Sequence, residues 1–396
     1  MRKYSENFIM LDVKELTALC KLYGFKQNKL SMINYINEST DNVEISLKAI
    51  PAELEQMLKE ATETIAAPDR TVKMHCSIED ENITRLDLAW KKDNFHRTAV
   101  LAQKGEYKNL TISGAEEYAA MASKVLALES SPEVVECNKK LSSLALITIL
   151  AMADYYRHCK LLSMLNHKPI VKSFSLRDII ERIEDSSNED FRWALLFMEK
   201  VLPFNFSKSI EEGVIEETLE ELVKEGFINK DTSNYEETGL NFYLLTDLGE
   251  VLVNDIFHDI SKVAMTIGGT GTNNGAAYET IYFIRSAKRL WMFNLYGKEG
   301  IIASVGSFGA AEILNKIFME ADSFVSEKEV MEQTINKDSV CGNCGIKLKP
   351  NAKFCYGCGE KVDAQQEVKG KFCANCGIQL KPNSKFCAGC GTPVKN

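Results

Sequence analysis

Short runs of apolar and polar residues with a strand-like period stand out from Thr71 onward. TVKMHCSI from Thr71 alternates residue by residue, while RLDLAWKK from Arg85 and RTAVLAQKGEYKNLTIS from Arg97 mix alternation with short apolar runs around a Gly-containing turn. That period predicts strands with one face on a core. GAEEYAAMASKVL then changes to helical spacing. The same order returns much later as SKVAMTIGG from Ser261, ETIYFIRS from Glu279, and RLWMFNLYGKEGIIASVGSFGAAEILNKIF from Arg289. The stretches from Arg97 and Arg289 align without a gap, and Arg97/Arg289, Gly105/Gly297, Gly114/Gly306 and Lys124/Lys316 coincide. Each copy reads as a four-stranded meander followed by a helix. One strand–strand–helix unit can resemble another by chance, but the shared glycine positions and the gapless alignment favour an internal duplication. Ser113 with Glu116 has capping-box spacing, and Ser307 is a candidate N-cap.

Between the copies the period is helical. KKLSSLALITILAMADYYRHCKLLSML reads as one long apolar-faced helix from Lys139. SLRDIIERI follows, with Ser175 and Asp178 at capping-box spacing, then FRWALLFMEKVL, then SIEEGVIEETLEELVKEGFI. Ser209 and Glu212 form a second such pair, Leu219, Leu222 and Val223 recur at helical spacing, and Gly226 is a stop. The segment ends in a hairpin, FINKD and FYLLTDLGEVLV. A helix ending in Gly-Phe-Ile, then a hairpin closing on Tyr243 to Gly249, resembles the winged-helix domain of bacterial transcription regulators over about residues 160–257. That resemblance implies DNA binding through the helix from Ser209. The charges oppose it: between Asn205 and Glu237 ten acids face Lys208, Lys224 and Lys230, a balance of −7. DNA affinity comes largely from neutralised phosphates, so this segment is expected to be architectural or protein-binding.

The C-terminus is a near-duplicate. Cys341, Cys344, Cys355 and Cys358 form one C-x2-C-x10-C-x2-C set, and Cys373, Cys376, Cys387 and Cys390 repeat it 32 positions on. Four soft thiolates on two short loops suit tetrahedral zinc, and a sphere closed by four cysteines leaves no position for a catalytic water. Gly345, Gly359, Gly377 and Gly391 allow the turns around sulfur; Phe354 and Phe386 supply the small core. In a reducing compartment, disulfides or free thiols are the weaker reading. The pattern resembles the zinc ribbons at the ends of bacterial proteins, with Val340 standing where the second copy has Phe372. The expected cofactor is Zn2+, two per chain, each supplying most of the folding free energy of its small unit. One Phe per ribbon plus Tyr356, and no arginine, make a poor surface for reading bases.

Charge sharpens the picture. The chain of 396 residues has net charge −9. From Cys341 onward nine lysines face Glu360, Asp363 and Glu367, a formal +6, which leaves −15 on the preceding residues. An acidic body disfavours nucleic acid as the main partner. MRKYSENFIMLDVKEL shows no apolar signal region, and LALITILAMA is too short to span a bilayer. A cytoplasmic protein with no membrane span is expected.

Catalytic patterns are weak. Gly269, Gly271 and Gly275 miss the spacing of a phosphate loop and precede a strand. His75, His96, His158, His167 and His258 show no metal-ligand spacing, and His75 and Cys76 are neighbours on opposite faces of a strand. Cys20, Cys76, Cys137 and Cys159 read as small buried apolar residues. No catalytic residue and no small-molecule substrate is identified.

The expected fold is α+β: two pseudo-repeated antiparallel sheet-plus-helix units around a winged-helix segment, then two zinc ribbons. The expected divisions are a first half over 1–139 with its meander at about 71–113, a helical segment over 140–258, and a second sheet unit over 259–324. A polar helix and linker follow over 325–340, then ribbons at 341–362 and 373–396 joined by 363–372. This layout is similar to that of type VII secretion chaperones, which bind the helical tip of a secreted partner. The expected function is a non-enzymatic adaptor or chaperone for a protein partner, a helix being one candidate form. The alternative is a DNA-binding regulator.

Overall fold

The structure is a computed structural model that describes residues 4–5, 8–33, 52–78, 82–94, 96–104, 107–170, 172–185, 192–202, 212–231, 241–270 and 276–319. All belong to one unit, Met1–Val325, while Ser326–Asn396 form a second unit. The expected polar helix from Val325 and both ribbons lie outside the described residues. Helix and sheet are mixed as an α+β chain requires.

The strands are β1 (Tyr4–Ser5), β2 (Phe8–Leu11), β3 (Arg70–Ile78), β4 (Asn82–Trp90), β5 (Thr98–Lys104), β6 (Tyr107–Ser113), β7 (Asn138–Ser142), β8 (Ser173–Ser175), β9 (Ile228–Asp231), β10 (Phe242–Leu245), β11 (Asp259–Thr270), β12 (Ala276–Ser286), β13 (Leu290–Tyr296) and β14 (Glu299–Ser304). The helices are α1 (Val13–Tyr23), α2 (Ala52–Ala66), α3 (Ala115–Val125), α4 (Ser143–Asn166), α5 (Leu176–Asp185), α6 (Ala194–Glu199), α7 (Glu212–Lys224), α8 (Asp247–Phe257) and α9 (Ser307–Met319).

Eleven strands make one sheet in the order β1-β2-β6-β5-β4-β3-β11-β12-β13-β14-β7. Two meanders, β3 to β6 and β11 to β14, meet edge to edge where β3 pairs antiparallel with β11. Each meander is followed by a helix, α3 or α9, and the two helices pack together. They lie on one face: α3 touches β3 and β11, and Trp90 of β4 meets Phe318 of α9 at 6.4 Å between ring centroids. At about 4.8 Å per strand the sheet is roughly 50 Å wide, beyond the width that one helical layer commonly covers.

The other face therefore carries two separate cores. Toward β2 and β6, Ile9, Leu101 and Leu110 pack with Leu19 of α1 and with Leu58 and Ile65 of α2. Toward β13 and β14, Tyr282, Trp291, Phe293 and Ile302 pack with Leu146 and Leu150 of α4 and Phe197 of α6. Each fully buried side chain of this size stabilises the fold by about 1.5–3 kcal/mol.

The segment between the meanders is built on α4, which contacts α5, α6, α7 and α8. Beside it β8, β10 and β9 form a small antiparallel sheet in that order. Gly226, at φ +79°, ends α7, and the N–H of Phe227 donates to the carbonyl of Leu222. The Leu-Thr-Asp-x-Gly close has a local cause. Thr246 caps α8 by accepting from the N–H of Gly249, while its own hydroxyl donates to the carbonyls of Gly226 and Phe227. Ser175 and Asp178 make their capping box, with the N–H and hydroxyl of Ser175 on Asp178 Oδ2 at 2.6 and 2.7 Å.

Three local expectations need correction. Residues 139–142 are not the start of the long helix but lie in β7, because Ser142 caps the helix through the N–H of Ala145 and β7 pairs with β14. Ser113 does not cap α3: Gly114 holds that position, and the Ser113 hydroxyl pairs with Tyr118 Oη. Ser307 is the first helical residue of α9 rather than its cap, and its hydroxyl has no hydrogen-bond partner. Of the Ser209 and Glu212 pair, Glu212 begins α7 and Ser209 lies outside the described residues.

Candidate interaction surface and metal centre

The sheet face that carries two cores turns polar between them. In β3, Val72, Met74 and Cys76 are buried beneath α3, so Thr71, Lys73, His75 and Ser77 take the opposite face by strand alternation. Register extends that row: His75 lies opposite Arg85, and Lys73 opposite Asp87, on β4. On β11 their partners are Ala264 and Thr266. Thr266 and Thr280 share a hydroxyl hydrogen bond at 2.8 Å. Lys108 of β6 reaches Asp87 at 3.2 Å. From above, α6 places Phe197 edge-on to His75, at 6.3 Å between centroids, and three residues later presents Lys200.

Charge accumulates here. Lys73 and Arg85 are exposed; Lys108 and Lys200 are half-buried. Asp87 is the carboxylate that register places within this row, and Lys108 already holds it. The pKa of Lys73 is lowered by desolvation first. Asp87 opposes that shift, and Lys108, Lys200 and Arg85 add to it. Burial, followed by Lys73, Arg85 and Lys200, brings His75 down to about 3, so the imidazole stays neutral. His75 is 6% exposed and its Nδ1 has no hydrogen-bond partner.

The outer side of α7 has the opposite sign. Ile215, Leu219 and Leu222 are buried, whereas Glu216, Glu217 and Glu220 are exposed. Glu220 accepts from Lys230 of β9 at 2.8 Å. Glu221 turns inward and accepts from both the N–H and the hydroxyl of Ser142.

Two further polar centres have structural partners. Asp255 accepts from Trp291 Nε1 at 2.9 Å, Ser286 Oγ at 3.0 Å and Arg289 Nη1 at 3.2 Å, at the side of a cleft of about 710 Å3 lined also by Glu250, His258 and Lys288. Asp154 of α4 accepts from the N–H groups of Ala194 and Leu195, both at 2.9 Å, and so holds the first turn of α6. Burial raises its carboxyl to about 6 against the opposing effect of those two donors.

None of the eight ribbon cysteines lies among the described residues. Their donor set can still be judged by its chemistry: four thiolates at C-x2-C spacing fit zinc. Residues 341–391 match the double zinc-ribbon family. That match contains every one of Cys341, Cys344, Cys355, Cys358, Cys373, Cys376, Cys387 and Cys390, and the family implies zinc binding. No curated protein matches the chain in sequence. Among solved structures the chain is similar to the type VII secretion system chaperone EspG5 of Mycobacterium tuberculosis, solved in complex with the PE25–PPE41 dimer. Identity is 11%, the TM-score is 0.38, and the alignment covers 78% of this chain and 95% of that one.

The double zinc ribbon contrasts with the remaining cysteines. Cys20, Cys76 and Cys137 are buried and Cys159 half-buried, all four as free thiols. Burial raises Cys20 and Cys76 to about 12. Among the described residues no group of three or more His, Cys, Asp or Glu side chains could hold a metal ion, and no helix is long and apolar enough to cross a membrane. The cationic row is what sequence reasoning missed. Its signal was present in T-V-K-M-H-C-S, where the non-apolar positions are the polar side of a strand that register places at the middle of the sheet.

Proposed function

We propose that the protein is a non-enzymatic, zinc-binding cytoplasmic adaptor or chaperone-like protein that recognises a protein partner. Two closed four-cysteine ribbons, one zinc ion each, serve as additional contact modules. The two meanders are read as pseudo-repeats of one unit. The segment from α4 to β10 is read as a winged helix, with α7 in the position of the recognition helix. The observation that carries the proposal is the outer face of α7, where Glu216, Glu217 and Glu220 stand exposed. A recognition helix gains affinity by neutralising phosphates, and three glutamates there oppose it. A protein surface meets no such barrier, and fold alone does not fix function.

The second reading, a DNA-binding regulator, draws on the element order α4, β8, α5, α6, α7, β9, β10 and on the lysine-rich tail. Native affinity purification of the full chain, with a duplex-shift assay in parallel, separates the two. A stoichiometric protein partner, with no duplex shift at low salt, is the expected result. A chain that purifies alone and shifts duplex DNA with a steep salt dependence would establish the regulator.

A further inference from the structure

We infer that the cationic row of Lys73, Arg85 and Lys200 across the middle of the sheet is a docking surface for an acidic, carboxylate-bearing segment of a protein partner. The inference deepens the adaptor reading and rests on it. Its first support is position. The row lies on β3 and β4, in the centre of an eleven-stranded antiparallel sheet, a kind of sheet that can leave one face open to solvent or to a partner. Here the helical cover divides into two cores, and the strands between them present cations rather than apolar side chains.

The second support is the charge of the groups gathered there. Lys73 and His75 come from β3, Arg85 and Asp87 from β4, Lys108 from β6 and Lys200 from the end of α6. Asp87 is taken by Lys108. Among the described residues Lys73 and Lys200 have no carboxylate in ion-pair range, although acids outnumber bases along the chain by 56 to 47. Lys73 and Lys200 repel one another, Asp87 offsets only part of that repulsion, and a bound carboxylate relieves the rest. The third support is the His75 imidazole. It is nine-tenths buried in the floor of the row, and its Nδ1 has no hydrogen-bond partner.

The size of the row favours carboxylates over nucleic acid. From β3 to β6 the row spans four strands, roughly 15–20 Å. A duplex carries one phosphate about every 1.7 Å and would run on past the row over an acidic body. A peptide with a few Asp or Glu residues matches the row and ends with it.

The test uses the full chain and a fluorescein-labelled peptide of about ten glutamates, chosen so that its charge is screened away by added salt. Fluorescence anisotropy should show binding at low salt that weakens as salt rises. Lys73→Gln with Lys200→Gln should weaken it about tenfold. Lys73→Arg with Lys200→Arg should retain it, and Lys288→Gln, on the far turn between β12 and β13, should leave it unchanged. Neither Lys73 nor Lys200 holds a salt bridge among the described residues, so the double glutamine variant keeps the fold; an unchanged thermal midpoint checks this. Absent binding by the wild-type chain, equal binding by the glutamine variant, or tighter binding of a single-stranded oligonucleotide of matched charge would each overturn the proposal. A partner that co-purifies equally with wild type and variant overturns the row and leaves the adaptor reading standing. Peptide binding that the variant loses, with no partner co-purifying, keeps the row and removes the adaptor.

Discussion

The ammonium of Lys262 stands 2.6 Å from the carboxylate of Asp259, and both side chains are only 1% exposed. Arg157 of α4 reaches the same carboxylate at 3.1 Å. One acid at the start of β11 thus holds a strand lysine and a helix arginine together. Removing the shared partner of buried cations is expensive because their charge loses its compensation. Asp259→Ala should lower the unfolding free energy by about 3–5 kcal/mol in urea titration. Lys262→Met should cost clearly less, since Asp259 keeps Arg157. Equal losses would show that the pair acts independently of the arginine.

Asp154 makes stability depend on pH in an uncommon direction for a carboxylate. Its pKa in the fold is about 6, above the ordinary 3.8, because burial outweighs the two backbone donors. Between pH 4 and 6 the folded chain therefore holds a proton that the unfolded chain has lost. Stability from this group is fully present below about pH 4 and is lost as pH rises through about 6, an effect of about 3 kcal/mol. Urea titrations of wild type and Asp154→Asn at several pH values check it. The difference between the two proteins should change across that window and be flat above pH 7.

Gly249 is a close-approach position. A Cβ there would stand 2.1 Å from the carbonyl oxygen of Phe227. That carbonyl already accepts from the N–H and the hydroxyl of Thr246, so it cannot withdraw without breaking the cap of α8. Gly249→Ala should destabilise by about 1–3 kcal/mol, read as a lowered thermal midpoint. A midpoint within error of wild type would remove the close approach as the reason for glycine.

Metal content gives the sharpest number. Elemental analysis of the full chain should return two zinc ions, with one remaining in Cys344→Ser and one in Cys387→Ser. Chelation should unfold each ribbon, since so small a unit has little core of its own. Two ions retained in either variant would contradict separate four-cysteine sites.

Much of the architecture was legible because two periods were clear. The alternation in TVKMHCSI and the short β-branched and aromatic run in ETIYFIRS placed β3 and β12, and Gly226 ended α7 where its positive φ requires it. The zinc chemistry was legible from spacing alone. Other features depend on distant partners. Lys139 and Lys140 have helix-compatible side chains, yet pairing with β14 draws them into β7. The capping box of Asp12 and Glu15 that opens α1 is local and could have been read; the packing of α1 on α2 could not. The cationic row needed register. Lys73 and Arg85 are ordinary surface residues until the hairpin sets His75 opposite Arg85 and α6 brings Lys200 from more than a hundred residues away.

The seam between β3 and β11 has a consequence for biosynthesis. Cys76 pairs with Val263, 187 positions later in the chain. At about 5–20 residues per second the ribosome leaves the β3 edge unpaired for on the order of 10–40 seconds. An unpaired edge in the middle of a future sheet invites pairing with other nascent chains. Lys73 on that edge, and Arg85 beside it, are charged gatekeepers of the kind that discourage such pairing. The side chains inferred to receive a partner in the finished protein thus also keep its half-made form out of the wrong company.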